Sequence, residues 1–372
     1  MGVKSTGNNR FMEGSNQSFF VRTGGKLIEF ASNVFVTGDK SIAGTNEYPT
    51  GVSGGTIFQY NGKTIHAFVS SDFFIISGAT VINKTCEMVM IGGGGGTCRA
   101  SGSAGAGGAG AGGMVLYPSI TFSNGAYPVV IGAGGAGTPN SESPGHGGSL
   151  TQRGTDTTIG VDGDKGARGG GGSYSWSISG SPTEYYKALY LDGGCGGGGG
   201  GFSQPNDQGM GYADNPYTNP GGTENGFPAG SPATRGVAGG GGIGSKGQNA
   251  NGGFPSVAGV NGGEGLQLPA TFRDPSNVYG VPGPGGTAHW IGGGGASGSW
   301  DTSTWGSGGA GPGGSGGPFA GGGNGGSPSS PNSTQGGTGT VNTGGGAGGH
   351  YNNSGLNGNN GGSGLVLIAY PT

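Results

Sequence analysis

Charge is scarce in this chain: Asp, Glu, Lys and Arg make up 9% of its 372 residues, against about 25% in ordinary domains. The formal net charge is -3, and no basic stripe is present, so nucleic acid is not an expected partner. Cysteine is nearly absent as well. Three residues, Cys86, Cys98 and Cys195, form an odd count without a close pair, which argues against a disulfide framework. Cys86 lies in an apolar strand-like run and reads as a small core residue, and Cys195 reads as a gap-filler in a glycine run. No run approaches the ~20 apolar residues of a membrane span, and Met1-Gly2-Val3-Lys4-Ser5-Thr6 has no signal-peptide apolar region, so neither membrane insertion nor a secretory leader is expected. Helix-forming stretches are also missing. Between Gly92 and Gly364 the longest segment free of Gly and Pro is residues 183–192, shorter than an average helix of about 11 to 12 residues.

What the chain has instead is glycine, 103 residues of it, with 12 in the first ninety positions and the other 91 after Ile91. Such a composition is common in disordered chains, and the strict Gly-X-Y repeat of collagen is absent. An ordered alternative needs the missing side chain. From Gly308 to Gly317 every third residue is glycine (Gly308, Gly311, Gly314, Gly317), the period of a polyproline II helix. Helices of this kind with glycine facing their neighbours can pack backbone to backbone and hydrogen-bond laterally. That answers where the backbone donors go and offsets an ordering cost of about 1 to 2 kcal/mol per residue.

Strand signals frame this body. Apolar islands at residues 19–21, 27–35 and 56–60 lie in an otherwise polar segment, 1–60, read as an attachment module for a partner subunit. Runs rich in β-branched and aromatic residues follow at 64–69, 73–77, 80–82 and 86–91. In the first, Ile65, Ala67 and Val69 alternate with His66 and Phe68. Segments 114–122 and 127–131 read as a hairpin joined through Asn124-Gly125, a favoured turn pair. Leu365-Val366-Leu367-Ile368-Ala369-Tyr370 is a continuous apolar run, as expected of a strand covered on both faces and paired with the early strands. The fold class expected is therefore mainly β with polyglycine II helices and essentially no α-helix. A β cap or sandwich from 61–91, 114–131 and 364–372 clamps a glycine-rich body at 92–363 within a domain spanning 61–372.

Three stretches carry a resemblance. Gly62-Lys63-Thr64-Ile65-His66-Ala67-Phe68 with Phe73-Phe74-Ile75-Ile76 and Met88-Val89-Met90-Ile91 before Gly92 to Gly96 resembles the opening of the glycine-rich domain of bacteriophage tail and virion structural proteins. Tyr127-Pro128-Val129-Val130-Ile131-Gly132-Ala133-Gly134-Gly135 resembles its second signature, and Gly361-Gly362-Ser363-Gly364-Leu365-Val366-Leu367-Ile368-Ala369-Tyr370 its closing strand. The composition is similar in style to that of T-even-like phage tail-fibre tip adhesins. This resemblance implies a virion location, contacts with other virion subunits, several copies per assembly, and a role in a tail fibre, tail or baseplate, or head decoration.

Motifs that look like chemistry weaken on inspection. The run at Gly132-Ala133-Gly134-Gly135-Ala136-Gly137 fits G-x-G-x-x-G, with Asp156 further on, but prolines and glycines follow where a helix must start. Gly62-Lys63-Thr64 lacks the upstream glycine of a phosphate loop, since Ile57 occupies that position. Asp162-Gly163-Asp164 reads as a solvated turn, and His66, His146, His289 and His350 show no metal spacing. No cofactor, metal or catalytic set is expected, and the chain reads as a non-enzyme. The candidate contact residues are aromatic interruptions of the glycine body: Tyr174, Trp176, Tyr185, Tyr186, Tyr190, Tyr212, Tyr217, Trp300 and Trp305. Polar loops bearing Tyr and Trp suit recognition of a host-surface glycan or outer-membrane protein, the other reading being that they cap the glycine body by packing. A second function class is a secreted glycine-rich structural or ice-binding protein, against which stands the lack of regular Thr ranks.

Overall fold

The computed structural model describes residues 19–23, 26–30, 51–77, 85–98, 106–138, 152–160, 165–173, 193–198, 223–225, 228–229, 237–250, 258–299, 306–311, 317–327, 335–351 and 356–372. The chain divides into two compact units, Met1–Glu47 and Tyr48–Thr372. In the first, β1 (Phe19–Thr23) and β2 (Lys26–Phe30) form an antiparallel pair. The second holds β3 (Val52–Ser53), β4 (Thr56–Tyr60), β5 (Lys63–Phe68), β6 (Asp72–Ile76), β7 (Thr85–Ile91), β8 (Met114–Thr121), β9 (Gly125–Val130), β10 (Thr157–Ile159), β11 (Lys165–Ala167), β12 (Thr223–Asn225), β13 (Leu266–Gln267), β14 (Trp290–Ile291) and β15 (Leu365–Pro371). Among the described residues there is no α-helix; a 3₁₀ turn occupies Ala270–Phe272. The strand at 56–60 belongs to the larger unit because β4 is hydrogen-bonded to β5 along its whole length. The expected strand at 80–82 lies outside the described residues.

Two antiparallel sheets stack as a sandwich. One has the order β11-β10-β9-β6-β3, the other β12-β8-β7-β15-β5-β4. Phe74, Ile76, Val129 and Ile159 from the first sheet pack on Met88, Met90, Tyr117, Val366, Ile368 and Tyr370 from the second. The opposite face of the six-stranded sheet is equally dry: Ile65, Ala67, Val89, Ile91, Leu365, Leu367 and Ala369 pack on Ala111, Cys195, Ile243, Leu268, Phe272 and Ile291. Alternate residues of β15 therefore serve opposite cores, which is why its sequence is apolar without a break. As expected, β15 closes between early strands, pairing with β5 and β7.

Three local expectations need correction. Segments β8 and β9 do not form a hairpin: β8 pairs with β7 and β12, while β9 pairs with β6 and β10 in the other sheet. Neither Asn124 nor Gly125 has the positive φ that a type I′ turn requires, so the chain crosses between sheets there. The Tyr127 hydroxyl braces this crossing, accepting from Ser123 N (3.0 Å) and donating to Ser123 O (2.9 Å). The I′ geometry occurs instead at Asn61-Gly62, φ 48° and 70°, which joins β4 to β5. Val69, placed by alternation with Ile65 and Ala67, lies beyond the end of β5 and is 40% exposed. Finally, Gly309 and Gly311 have φ of 63° and 73°, so residues 308–311 turn and do not follow a polyproline II path near -75°.

Beyond the six-stranded sheet, the glycine segments form a body held by lateral backbone bonds. In residues 92–97, successive amides donate to Gly113, Thr155, Gly362, Gly110, Gln152 and Asn359 carbonyls, so every third donor returns to the same neighbouring segment. The carbonyls of Gly93 and Gly96 accept from Gly170 and Ser173, those of Gly94 and Thr97 from Gly135 and Thr138, and that of Gly95 from Ala347. The segment thus has six neighbours, three through its donors (106–113, 152–155, 358–362) and three through its acceptors (168–173, 132–138, 344–349). Residues 106–113 repeat the pattern: Ala106, Ala109 and Gly112 donate to His350, Ala347 and Gly344, while Gly110 and Gly113 donate to Gly171 and Arg168. The period of three is that of the polyproline II class of helix. Glycine is required at the crossings. A Cβ on Gly94 would overlap the Gly345 carbonyl, and one on Gly295 the Ala347 carbonyl.

Candidate functional site

The nine aromatic candidates, Tyr174, Trp176, Tyr185, Tyr186, Tyr190, Tyr212, Tyr217, Trp300 and Trp305, all lie outside the described residues. Their stems are described, and the hydrogen bonds fix which end of the body each stem occupies. The sheet end is marked by segments that continue directly into strands: Gly92 after β7, Gly113 before β8, Arg168 after β11, Gly364 before β15. Gly92 bonds to Gly113, Gly113 to Arg168 and Gly364 to Gly132, so these ends lie together. The opposite ends lie together as well, Thr97 with Asn359 and Thr138, and Gly96 with Gln152 and Ser173.

At that far end, Gly298 donates to Ala106, which itself donates to His350, and Gly325 donates to Gly306. The connection carrying Trp300 and Trp305 therefore leaves at Ser299 and rejoins at Gly306, both away from the sheets. Ser173, which precedes Tyr174 and Trp176, is also a far-end residue, buried and bonded to Gly96 O at 3.1 Å. The same connection, with Tyr185, Tyr186 and Tyr190, rejoins at the sheet end, where Gly194 donates to Gly169. The stretch carrying Tyr212 and Tyr217 starts beside Gly108 at Gly198, which donates to it, touches the sheet edge at β12 and returns to Ala238, again beside Gly108. Far-end stems are common to all three connections. Among the described aromatic interruptions, Phe272 is buried, Tyr279 stacks on Phe58 at 5.9 Å, and Trp290 donates from Nε1 to Thr287 Oγ1 at 2.8 Å.

Four amides of the nucleotide-like run, Gly132 to Gly137, are engaged internally. Gly132 N donates to Thr157 Oγ1 (2.9 Å), Ala133 N to Thr155 Oγ1 (2.7 Å), Gly135 N to Gly94 O (2.8 Å) and Gly137 N to Asn360 Oδ1 (2.8 Å). Asp156, positioned in sequence like a ribose ligand, accepts from Gly169 N at 2.8 Å. These hydrogen bonds serve the fold. Lys63 of the phosphate-loop look-alike forms an ion pair with Glu87, whose other oxygen accepts from Thr271 Oγ1 at 2.6 Å. Burial works to raise the Glu87 pKa, but the bonds from Lys63 and Thr271 outweigh it and hold the carboxyl below its ordinary value. Asp162-Gly163-Asp164 and His146 lie outside the described residues. Among the described residues no group of His, Cys, Asp and Glu is placed to hold a metal, and no helix is long and apolar enough to cross a membrane.

One surface feature was not read from the sequence. The outer face of the five-stranded sheet carries Phe73, Ile75 and Val130, exposed at 51%, 39% and 47%, beside exposed Pro128, which sits opposite Phe73. The signal was the double alternation in Phe73-Phe74-Ile75-Ile76, where both faces of β6 are apolar although only Phe74 and Ile76 enter the core. No protein-family model matches this sequence, and no curated protein is significantly similar to it.

Proposed function

We propose that the chain is a non-enzymatic structural protein of a bacteriophage virion, a component of a tail fibre, tail or baseplate, or head decoration, whose aromatic connections contact a host-surface glycan or outer-membrane protein. The observation that carries this reading is the far-end placement of the stems at Ser173, Gly198, Ser299 and Gly306. A glycine body whose Tyr- and Trp-bearing connections each have a stem at the end away from the sandwich suits end-on recognition, because those rings give contact area at small entropic cost. In this reading the part of segment 1–60 that precedes Tyr48 attaches the protein to other virion subunits, and several copies assemble. The uncharged outer sheet face at Phe73, Ile75, Pro128 and Val130 is consistent with a neighbouring copy, since two such faces meet without like-charge repulsion.

The reading is tested by Trp300→Ala with Trp305→Ala, and separately by Trp176→Ala, scored for thermal stability, incorporation into particles and adsorption to host cells. The expected outcome is normal folding and incorporation with adsorption reduced at least about tenfold, as for loss of a binding hot spot. Unchanged adsorption in every variant, or unfolding in every variant, contradicts it.

A further inference from the structure

We infer that His66 and His350 are paired acid-sensitive latches, one in the sandwich and one in the glycine body, that loosen the Tyr48–Thr372 unit as the pH falls below neutrality. This does not depend on the virion reading. His66 on β5 is fully buried, with Nδ1 2.7 Å from Gly54 O and Nε2 3.0 Å from the Tyr370 hydroxyl. A carbonyl can only accept, so Nδ1 carries the proton and Nε2 accepts from Tyr370. The neutral ring thereby ties β5 to the β3–β4 connection and to the closing strand β15. A second proton on Nε2 reverses that bond, so that Nε2 donates to the Tyr370 oxygen and the hydroxyl hydrogen loses its acceptor, and it places a cation in the core. The titratable side chains on its own strand and on the elements packed around it are Lys63 on β5, Tyr60 on β4, Tyr370 on β15, Cys86 and Glu87 on β7, Tyr117 on β8, Tyr127 on β9 and Asp72 on β6; Lys63 and Glu87 pair with each other, and Asp72 accepts from Gly55 N at 3.0 Å.

His350 ends the six-neighboured segment 344–350 and is fully buried. Its Nδ1 accepts from Gly336 N at 3.3 Å. A backbone amide can only donate, so protonating Nδ1 sets two hydrogens against each other. The segments around it, 106–113, 293–299, 323–326, 335–340 and 358–364, contain no ionisable side chain, leaving Tyr351 and Cys98 as the nearest described ones in the chain and the adjoining segment 92–98. Burial lowers both histidines to about 4, opposed by the Gly54 carbonyl at His66 and the Asn357 backbone at His350.

The sign follows from the unfolded value of about 6.5. The folded pKa values lie below it, so this stability is whole above pH 6.5 and is lost as the pH falls from 6.5 towards 4, where the unfolded chain binds the extra protons. Two such groups weaken the folding equilibrium by up to about a hundredfold per pH unit, while ordinary carboxylates, near 3.9 to 4.3, enter only at the bottom of that window.

The test is urea unfolding of the full chain from pH 8 to pH 5, with His66→Gln and His350→Gln, beside an NMR titration of the histidine ring protons of the unmodified protein. The expected results are a folding constant falling by on the order of a thousandfold between pH 8 and 5, a slope about halved in each variant, and two histidine resonances that do not titrate down to pH 5. A folding constant that stays flat to pH 5, or titration of every histidine near pH 6.5 in the folded protein, overturns the inference. The NMR arm decides alone if either variant fails to fold.

Discussion

At the residue scale, the glycine body depends on side chains that imitate peptide groups. Asn261 Nδ2 donates to Gly311 O at 3.0 Å while its Oδ1 accepts from Ser307 N at 2.8 Å, and Asn324 makes the same two kinds of bond to Gly317 O and Gly308 N. Each amide fills a place where the lateral network lacks a neighbouring backbone. Asn261→Ala leaves the Ser307 amide buried without its acceptor, so urea or thermal unfolding is expected to show a loss of about 1 to 3 kcal/mol. A change within experimental error indicates that another group takes the place of the side chain. The alanines belong to the same logic. Ala106, Ala109, Ala296 and Ala347 are fully buried in positions that leave room for one methyl, whereas Gly108 and Gly110 lie against the carbonyls of Gly295 and Cys195. Gly311, an inward position by sequence period, has room for a Cβ beside Glu264 and is glycine because its φ is 73°.

At the element scale, β15 joins the sandwich core to the body, and Leu367 lies in the cluster that faces the body. Leu367→Ala is expected to destabilise the unit by about 2 to 5 kcal/mol, measured by urea unfolding, because rigid neighbours on that face collapse poorly into the cavity. A cost below ~1 kcal/mol contradicts the two-sided burial of this strand. Its pattern was legible in the sequence because side-chain hydrophobicity reports burial on each face, and β4 to β9 were legible for the same reason. The partner of a strand was less so. Asn124-Gly125 and Asn61-Gly62 are the same dipeptide, yet only the second turns with positive φ, since Phe122 and Tyr127 draw the chain across to the other sheet. Within the body, sequence says that glycine is needed but not which segment lies beside which. Its lateral bonds join backbone to backbone, and any glycine offers the same donor and acceptor. The far-end grouping of Ser173, Ser299 and Gly306 was not legible in the sequence, because no residue type encodes it.

At the scale of the whole molecule, the Tyr48–Thr372 unit combines two ways of satisfying its backbone: sheet ladders that bury large side chains, and a three-way lateral network that buries almost none. The first draws stability from apolar area, the second from peptide hydrogen bonds shielded from water, each worth about 0.5 to 1.5 kcal/mol net. The central claim is that the second network is as cooperative as the first. Native-state amide hydrogen exchange tests it most directly. Peptides covering residues 92–97, 106–113 and 293–299 are expected to exchange as slowly as β7 and β15, through global unfolding alone. If these glycine amides exchange at the rate of an unstructured chain while β7 and β15 stay protected, the body is not held by its lateral hydrogen bonds and the account fails.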